Sequence, residues 1–266
     1  MRLQQKRTLR DITCKDVASK NVEHAAKKRR ASLVRNDIAE TLGERLEVSP
    51  VYLTEDGESW YLLAERWMRS NPKDFREEWE AHPTLRHPLK LFGKTVYEKR
   101  WSQSWGYSYA YSGSVSVGKP IAESSMVGLL VDKANELTSG VISDDPTPYN
   151  MCLQNWYQPE DTIGLHADDE KSLRPEYPIF SLSWGGTRRF LFRPRNKNLK
   201  VVEIYLKDGD LLVMGGTCQQ THRHEVPKRR VTMDPETAQR VNWTIRAFRD
   251  DGACSKVVKG GTDAKS

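Results

Sequence analysis

The first third of the chain carries apolar residues at helical spacing. In the stretch SWYLLAERWM, the apolar positions 60, 63, 64, 67 and 68 fall on one face of a helix. Asn71 followed by Pro72 is typical of a helix N-cap and first turn. With a further helix expected near 36–46, these patterns predict that residues 36–87 form a helical extension that covers a core.

From residue 88 onward the spacing changes to that of strands. The segment LKLFGKTVYEKRW predicts two short strands around Gly93, and YSYAYSGSVSV alternates in the manner of a strand. Residues 120–139 are expected to form one helix, opened by Pro120 and closed by Gly140. Six strand-like runs follow: YNMCLQNWY, IFSLSW, RRFLFRP, KVVEIYL, DLLVMGG and RVNWTIRAF. This order predicts an α+β protein built on a sandwich or jelly roll.

The composition narrows the class of protein. A chain of 266 residues can bury a substantial core, and one or two domains are expected. Because no run of about 18 apolar residues occurs, no membrane partner is expected. The four cysteines are scattered without a C-x-x-C pair, which argues against a disulfide framework or a zinc ribbon. A reducing compartment, the cytosol or the nucleus, is therefore favoured.

The net charge of +6 is concentrated at the N-terminus, since residues 1–45 hold 12 basic and 6 acidic side chains. Residues 1–35 are predicted to form a disordered basic arm, and residues 251–266 a flexible tail. Such an arm contacts nucleic acid or serves as an import signal, and KKRR at 27–30 is of the nuclear-localisation type. The alternative is a solvated tail without a targeting signal.

The stretch GLHADDEKS offers ligands for a metal. On a strand, the side chains of His166 and Asp168 project to the same side. One more histidine would complete a triad of two imidazoles and one carboxylate, which leaves three positions open on Fe(II). His222 and His224 are both candidates, because they too lie two residues apart. The alternative is an ordinary charged surface turn.

The C-terminal stretch RVNWTIR places four polar residues on one strand face, at period two. They are Arg240, Asn242, Thr244 and Arg246. Burying two guanidiniums on one face costs free energy unless each pairs with an anion, and a dicarboxylate cosubstrate supplies two carboxylates. The alternative is a pair of structural salt bridges.

With these motifs the sequence resembles the AlkB family of Fe(II)- and 2-oxoglutarate-dependent dioxygenases, which oxidatively remove N-alkyl groups from nucleic-acid bases. The family order is N-x-Y, H-x-D, a distal His followed by two residues and Pro, and R-x-N-x-T-x-R. The resemblance implies that Fe(II) is held by His166, Asp168 and His224, the last of these in preference to His222. It implies that 2-oxoglutarate is bound by Asn155, Tyr157, Arg240, Asn242, Thr244 and Arg246. O2 is the remaining substrate, and no separate acid or base is needed.

The resemblance also implies a fold: a double-stranded β-helix core over residues 141–250 and a nucleotide-recognition lid with its helix over 88–140. The branch that repairs double-stranded DNA is the most similar. It shares an F-G-K hairpin, a following arginine, an aromatic motif, an acidic pair after the metal Asp, and a basic loop. Here these substrate-binding residues are Phe92, Gly93, Lys94, Arg100, Tyr109, Tyr111, Ser112, Asp169, Glu170, Lys228, Arg229 and Arg230.

The function implied is oxidative demethylation of bases such as 1-methyladenine and 3-methylcytosine in DNA, preferably double-stranded with single strands tolerated. The products would be formaldehyde, succinate and CO2, made by a monomer in the nucleus. Phe92 would probe the duplex, although it could be an ordinary packed hairpin residue, and Asp169 is the stronger candidate of the acidic pair. The alternatives are an RNA demethylase of the same family, a non-catalytic nucleic-acid-binding member and a protein hydroxylase.

Overall fold

The computed structural model describes residues 35, 36, 38–40, 42, 48–111, 114–139, 147–228, 239–249, 255 and 256. The predictions for the arm before residue 35, for Ser112, Arg229 and Arg230, and for the tail apart from 255 and 256 lie outside these residues. Ile38 and Leu42 lie in helical backbone and in the core, which agrees with the helix expected near 36–46.

Two sheets form the centre of the molecule. The major sheet has eight strands in the spatial order β1 (Val51–Tyr52), β2 (Ser59–Ala64), β14 (Leu211–Gly216), β11 (Ile179–Gly185), β16 (Arg240–Arg246), β9 (Met151–Tyr157), β5 (Trp101–Trp105) and β8 (Gly118–Lys119). The minor sheet has four, in the order β10 (Ile163–His166), β15 (His222–Val226), β12 (Arg188–Pro194) and β13 (Val202–Leu206). Neighbouring strands are antiparallel, except that β5 and β8 pair in parallel.

The core has two parts, one on each face of the major sheet. Between the sheets, Leu153, Ile179 and Met214 of the major sheet pack in one cluster with Phe190 and Phe192 of the minor sheet. The opposite face of the major sheet packs against the helices α1 (Pro72–Glu80) and α2 (Ser125–Thr138). This gives a double-stranded β-helix with α1 and α2 on one side, as the resemblance implied. A third, short helix, α3 (Cys218–Thr221), packs its Cys218 in the cluster between the sheets.

Two small sheets lie outside this core. The strands β3 (Pro88–Leu91) and β4 (Lys94–Tyr97) form a hairpin, and β6 (Tyr107–Tyr111) pairs with β7 (Ser114–Ser116) and with β17 (Ser255–Lys256). The predicted lid over 88–140 therefore contains two hairpins and α2, but β5 and β8 from the same stretch belong to the major sheet.

The predicted helix at 60–68 is wrong, because residues 59–64 form strand β2. Trp60 and Leu62 pack in the helix-side core, and Tyr61 packs in the cluster between the sheets. A strand buried on both faces is apolar on both faces, so its period-two pattern disappears and a helical spacing can arise by chance. The extension over 36–87 is therefore only partly helical. None of the described helices is long and apolar enough to cross a membrane.

Two predicted helix starts had different outcomes. Asn71 caps α1 as expected, since its side chain accepts hydrogen bonds from the Lys73 and Asp74 backbone N–H groups. The helix expected over 120–139 begins instead at 125, where the Ser124 hydroxyl caps the Val127 N–H. The turn after Pro120 is a short 3-10 segment, Ile121–Glu123.

Candidate metal and cosubstrate site

The three predicted metal ligands converge at the edge of the minor sheet. His166 ends β10 and His224 lies on β15, where the two residues face each other across the strand pair. Their rings are 4.3 Å apart between centroids. Asp168 follows two residues after β10 and is buried, with its carboxylate oxygens 4.0 Å from His166 Nε2 and 3.8 Å from His224 Nε2. One donor atom from each residue lies within 4.8 Å of the others.

This donor set suits a divalent first-row metal such as iron. Two ligands bound at about 2.1 Å and at right angles lie about 3 Å apart, so the donors, which lie within 4.8 Å of one another, need to close by less than about 2 Å. His166 Nδ1 donates to the Gly164 carbonyl oxygen at 2.8 Å, which leaves Nε2 with a lone pair facing Asp168. Burial lowers the pKa of His166 and lowers that of His224 to about 3, so both imidazoles are neutral, as metal binding requires.

His222 does not join this group. It is buried on the same strand as His224, but its Nδ1 lies 2.9 Å from the hydroxyl of Thr221. Among the described residues, only His166, Asp168 and His224 bring three such donors together. Phe190 stacks on the His224 ring with 5.2 Å between centroids and restrains its orientation.

The six predicted cosubstrate residues line one pocket beside the metal ligands. They come from two neighbouring strands in register, where Arg240 pairs with Tyr157 and Asn242 with Asn155. The alternation predicted for RVNWTIR is present, because Val241, Trp243 and Ile245 pack in the helix-side core. The pocket residues are Asn155, Tyr157, Arg240, Asn242, Thr244 and Arg246.

Arg240 has the chemistry of an anion site. Its side chain is 1% exposed, and Nη2 donates to the Ser183 hydroxyl at 2.9 Å. Its Nε and Nη1 groups have no hydrogen-bond partner within the described part of the chain. Burial lowers the pKa of Arg240, and the adjacent Tyr157, whose ring centre lies 5.1 Å from the guanidinium carbon, opposes that effect. Buried N–H groups of a guanidinium are normally paired, and a carboxylate matches two of them at once.

Arg246 lies at the opposite end of the same strand face, next to the metal ligands. Its Nη2 pairs with Asp168, and its Nη1 lies 3.3 Å from Glu170 Oε1. Burial raises the pKa of Asp168, but the adjacent Arg246 guanidinium outweighs that effect, so the pKa is lowered and Asp168 stays a carboxylate. The two arginines of the predicted pair therefore have different surroundings. Arg240 has donors available for an anion, whereas Arg246 already joins two carboxylates.

The two acidic residues after Asp168 also differ. Asp169 is 71% exposed in its side chain and lies 3.7 Å from Arg195. Glu170 is turned inward, and its Oε2 is buried without a hydrogen-bond partner among the described residues. Burial raises the pKa of Glu170. The structure thus favours Glu170 over Asp169 as the residue that faces a bound molecule, contrary to the preference drawn from the sequence.

The predicted duplex-contacting residues separate into exposed and buried ones. Phe92 is 103% exposed at the tip of the β3–β4 hairpin, and Lys94 and Lys228 are exposed. Arg100 was predicted to bind the substrate, but it is 7% exposed and pairs with Glu98, so a contact with DNA does not fit its position. For Tyr109 and Tyr111 only the backbone is described, in β6.

The hairpin tip has an unusual backbone. Leu91 pairs with Lys94, so Phe92 and Gly93 form a two-residue turn, and their φ angles are +50° and +76°. Positive φ at both positions is the requirement of a type I′ turn, for which Asn, Asp and Gly are the favoured residues. A bulky residue with positive φ is an outlier that costs about 1–2 kcal/mol. Phe92 therefore has a backbone conformation that is unfavourable for a bulky residue, and residues in such conformations concentrate at functional sites.

A second cavity, of about 290 Å³, lies beside Asp168 and Glu170. Leu173, Ile179 and Met214 supply apolar walls, and Gln219 is among the lining residues. Gln219 Oε1 accepts a hydrogen bond from the Asp168 N–H at 2.9 Å and so supports the metal ligand. Neither Gln219 nor Ser183 was predicted, because a single glutamine or serine carries no pattern that marks it.

Comparison with known proteins places this geometry in a family. The 2OG-Fe(II) oxygenase superfamily matches residues 63–246. Mouse DNA oxidative demethylase ALKBH2 is 29% identical over 185 residues, which are 65% of this chain and 72% of that protein. Mouse alpha-ketoglutarate-dependent dioxygenase alkB homolog 3 is 36% identical over 124 residues, which are 43% of this chain and 42% of that protein.

A solved structure with a similar chain is that of OsALKBH1. It is 21% identical and superposes with a TM-score of 0.48, covering 75% of this chain and all of the other. The superfamily match includes the whole minor sheet, the major sheet apart from β1 and most of β2, and every predicted metal and cosubstrate residue. The chain therefore belongs to the 2OG-Fe(II) oxygenase superfamily, its resemblance to the AlkB family is confirmed, and it is a dioxygenase that uses Fe(II), 2-oxoglutarate and O2.

Proposed function

We propose that this protein oxidatively demethylates N-alkylated bases of the 1-methyladenine and 3-methylcytosine type in DNA. Demethylation of nucleic acid is supported by the names of its relatives, DNA oxidative demethylase ALKBH2 among them. The preference for double-stranded DNA rests on one observation above all, which is the fully exposed Phe92 at a strained hairpin tip. An apolar wedge is useful where a flipped base leaves a gap in a duplex.

His166, Asp168 and His224 would hold Fe(II), and their neutral imidazoles and charged carboxylate are already in the required protonation states. The bound iron, with 2-oxoglutarate and O2, supplies the oxidation of the N-methyl carbon, which leaves as formaldehyde while the cosubstrate becomes succinate and CO2. The unpaired donors of Arg240 would bind one carboxylate of 2-oxoglutarate. Asn155, Tyr157, Asn242, Thr244 and Arg246 would complete that pocket.

The remaining residues would hold the substrate. Glu170 Oε2 can accept a hydrogen bond from the exocyclic amine of adenine or cytosine, with Asp169 nearer the solvent. Lys94 and Lys228 are exposed and suited to phosphates. Tyr109, Tyr111 and Ser112 would border the base, and Arg229 and Arg230 would extend the basic loop. No side chain is needed as a general acid or base, since the metal centre carries the chemistry.

The test is direct measurement of demethylation. The Fe(II)-loaded protein is incubated with 2-oxoglutarate and O2 and with matched oligonucleotides that carry one methylated base, and mass spectrometry follows the loss of the methyl group. Faster repair of double-stranded than of single-stranded DNA is the expected result. A preference for RNA would instead establish the RNA demethylase. Binding of methylated DNA and RNA without loss of a methyl group from either would overturn the proposed activity and favour the non-catalytic alternative.

The proposed location is the nucleus, where such DNA would be met. It rests on the basic arm with its KKRR cluster at 27–30. Imaging of a tagged protein with and without residues 1–35 tests this separately from catalysis. Nuclear entry of the shortened protein would mean that the arm is not the import signal.

A further inference from the structure

The guanidinium of Arg100 is buried and has a polar partner on each of two sides. Arg100 directly precedes β5, and its Nε donates to Asn155 Oδ1 at 2.7 Å. Its Nη2 lies 3.1 Å from Glu98 Oε1, and Glu98 itself accepts a hydrogen bond from the Ser102 hydroxyl at 2.6 Å. Arg100 and Glu98 are 7% and 5% exposed, and Asn155 is 2% exposed. The guanidinium is therefore fixed against a residue that lines the cosubstrate pocket.

The chemistry of these partners determines which way the Asn155 amide points. A guanidinium has only donors, whereas an Asn side chain has an acceptor oxygen at one end and an NH2 donor at the other. Facing Arg100 therefore commits the oxygen of Asn155, and the NH2 group is left for the pocket. Asn155 sits between Ser102 of β5 and Asn242 of β16 in register, so the sheet fixes its backbone as well.

We propose that Arg100 is a positioning residue that sets the polarity of Asn155, so that this amide presents donors to 2-oxoglutarate. A carboxylate or keto oxygen accepts from an NH2 group, while a reversed amide would place its own oxygen against the ligand. The proposal rests on the assignment of Asn155 to the cosubstrate made above. It replaces the substrate-binding role of Arg100 expected from the sequence.

The test compares two substitutions that differ in donor character. Lysine has only donors, so Arg100→Lys keeps the oxygen of Asn155 turned toward position 100. Arg100→Gln offers both a donor and an acceptor, so Asn155 can take either orientation. Calorimetry of 2-oxoglutarate binding to the Mn(II)-loaded protein without O2 measures affinity apart from turnover. We expect about a tenfold weaker affinity in Arg100→Gln and recovery to within about threefold in Arg100→Lys.

A second readout separates this role from DNA binding. Fluorescence anisotropy with a labelled duplex is expected to give equal DNA affinity for the wild type and both Arg100 variants. Lys94→Gln is the matched control, because Lys94 is exposed on the hairpin. It should weaken DNA binding and leave 2-oxoglutarate binding unchanged. The proposal is overturned if Arg100→Gln weakens DNA binding alone, or if Arg100→Lys loses as much cosubstrate affinity as Arg100→Gln.

Removing Arg100 leaves the buried carboxylate of Glu98 without its cation, which can destabilise the fold. The double variant Glu98→Gln/Arg100→Gln removes that charge, and its circular dichroism spectrum verifies the fold. Normal 2-oxoglutarate affinity in the folded double variant would overturn the proposal. Asn155→Ala tests the role of Asn155 separately from the role of Arg100. If it binds 2-oxoglutarate normally, the assignment of Asn155 fails first; if only Asn155→Ala is weakened, the role of Arg100 fails alone.

Discussion

Replacing Phe92 should separate duplex repair from protein stability. Its side chain is 103% exposed, so Phe92→Ala removes no packing within the protein. Substitutions of such exposed residues change the free energy of unfolding by less than about 0.5 kcal/mol. Phe92→Asn goes further, because asparagine tolerates the positive φ of +50° better than phenylalanine. It should raise the free energy of unfolding by up to about 1 kcal/mol.

The expected loss in duplex repair follows from what the side chain would bury. Full burial of a phenylalanine is worth about 1.5–3 kcal/mol. If Phe92 fills the gap left by an extruded base, losing it should slow repair of double-stranded DNA about tenfold to a hundredfold. A base in a single strand has little stacking and no pairing to lose, so its repair should change by less than about twofold.

The assay measures kcat/KM for one lesion in matched single- and double-stranded oligonucleotides, with thermal unfolding recorded on the same samples. Tyr205→Ala is the control, since Tyr205 is an aromatic residue that is 52% exposed on β13, in a different sheet from the hairpin. Equal slowing on both substrates by Phe92→Asn would show that Phe92 contributes no duplex-specific step. A drop in stability would refute the conformational argument, because it would mean that the phenylalanine ring is packed.

Four further outcomes follow from the site. His224→Ala should abolish turnover and Fe(II) binding, measured by metal analysis, while His222→Ala should keep both, and the reverse result would reassign the ligand. Arg240→Met should weaken 2-oxoglutarate binding about tenfold to a hundredfold in calorimetry, and unchanged affinity would make this arginine structural. Glu170→Gln should lower repair of methylated bases more than it lowers DNA affinity, and an equal effect of Asp169→Asn would contradict the distinction between them. Deleting residues 1–35 should flatten the salt dependence of affinity for long duplex DNA, and identical slopes would exclude the arm from binding.

The sequence predicts strands best where the two faces of a strand differ in chemistry. In β16, Val241, Trp243 and Ile245 face the helix-side core, and the four alternate positions are polar, so period two is visible. In β2 both faces are apolar, because Trp60 packs toward the helices and Tyr61 toward the minor sheet. The pattern then carries no period, and the prediction of a helix fails.

In the candidate site, too, the sequence does not predict which residues are buried. The types and spacing of its ligands are visible in the sequence, but the burial of each is not. Arg100 and Lys94 are both basic residues near one hairpin, yet the first is 7% exposed and the second is exposed. Asp169 and Glu170 are adjacent acids, and only the second turns inward. These differences depend on which strand lies behind each residue, and a motif does not contain that information.

Strand register, rather than spacing, selects the third metal ligand. Alternation puts His222 and His224 on the same face of β15, so the sequence pattern allows either. In the fold, His224 lies directly opposite His166 of β10, while His222 lies opposite Pro194 of β12. A slip of β15 by one residue would turn both histidines and the buried Val226 to the other face, and would bring Arg223 and Glu225 into the interior. Packing of the minor sheet and assembly of the metal site therefore depend on the same register, which explains why a stable core and a functional triad arise together.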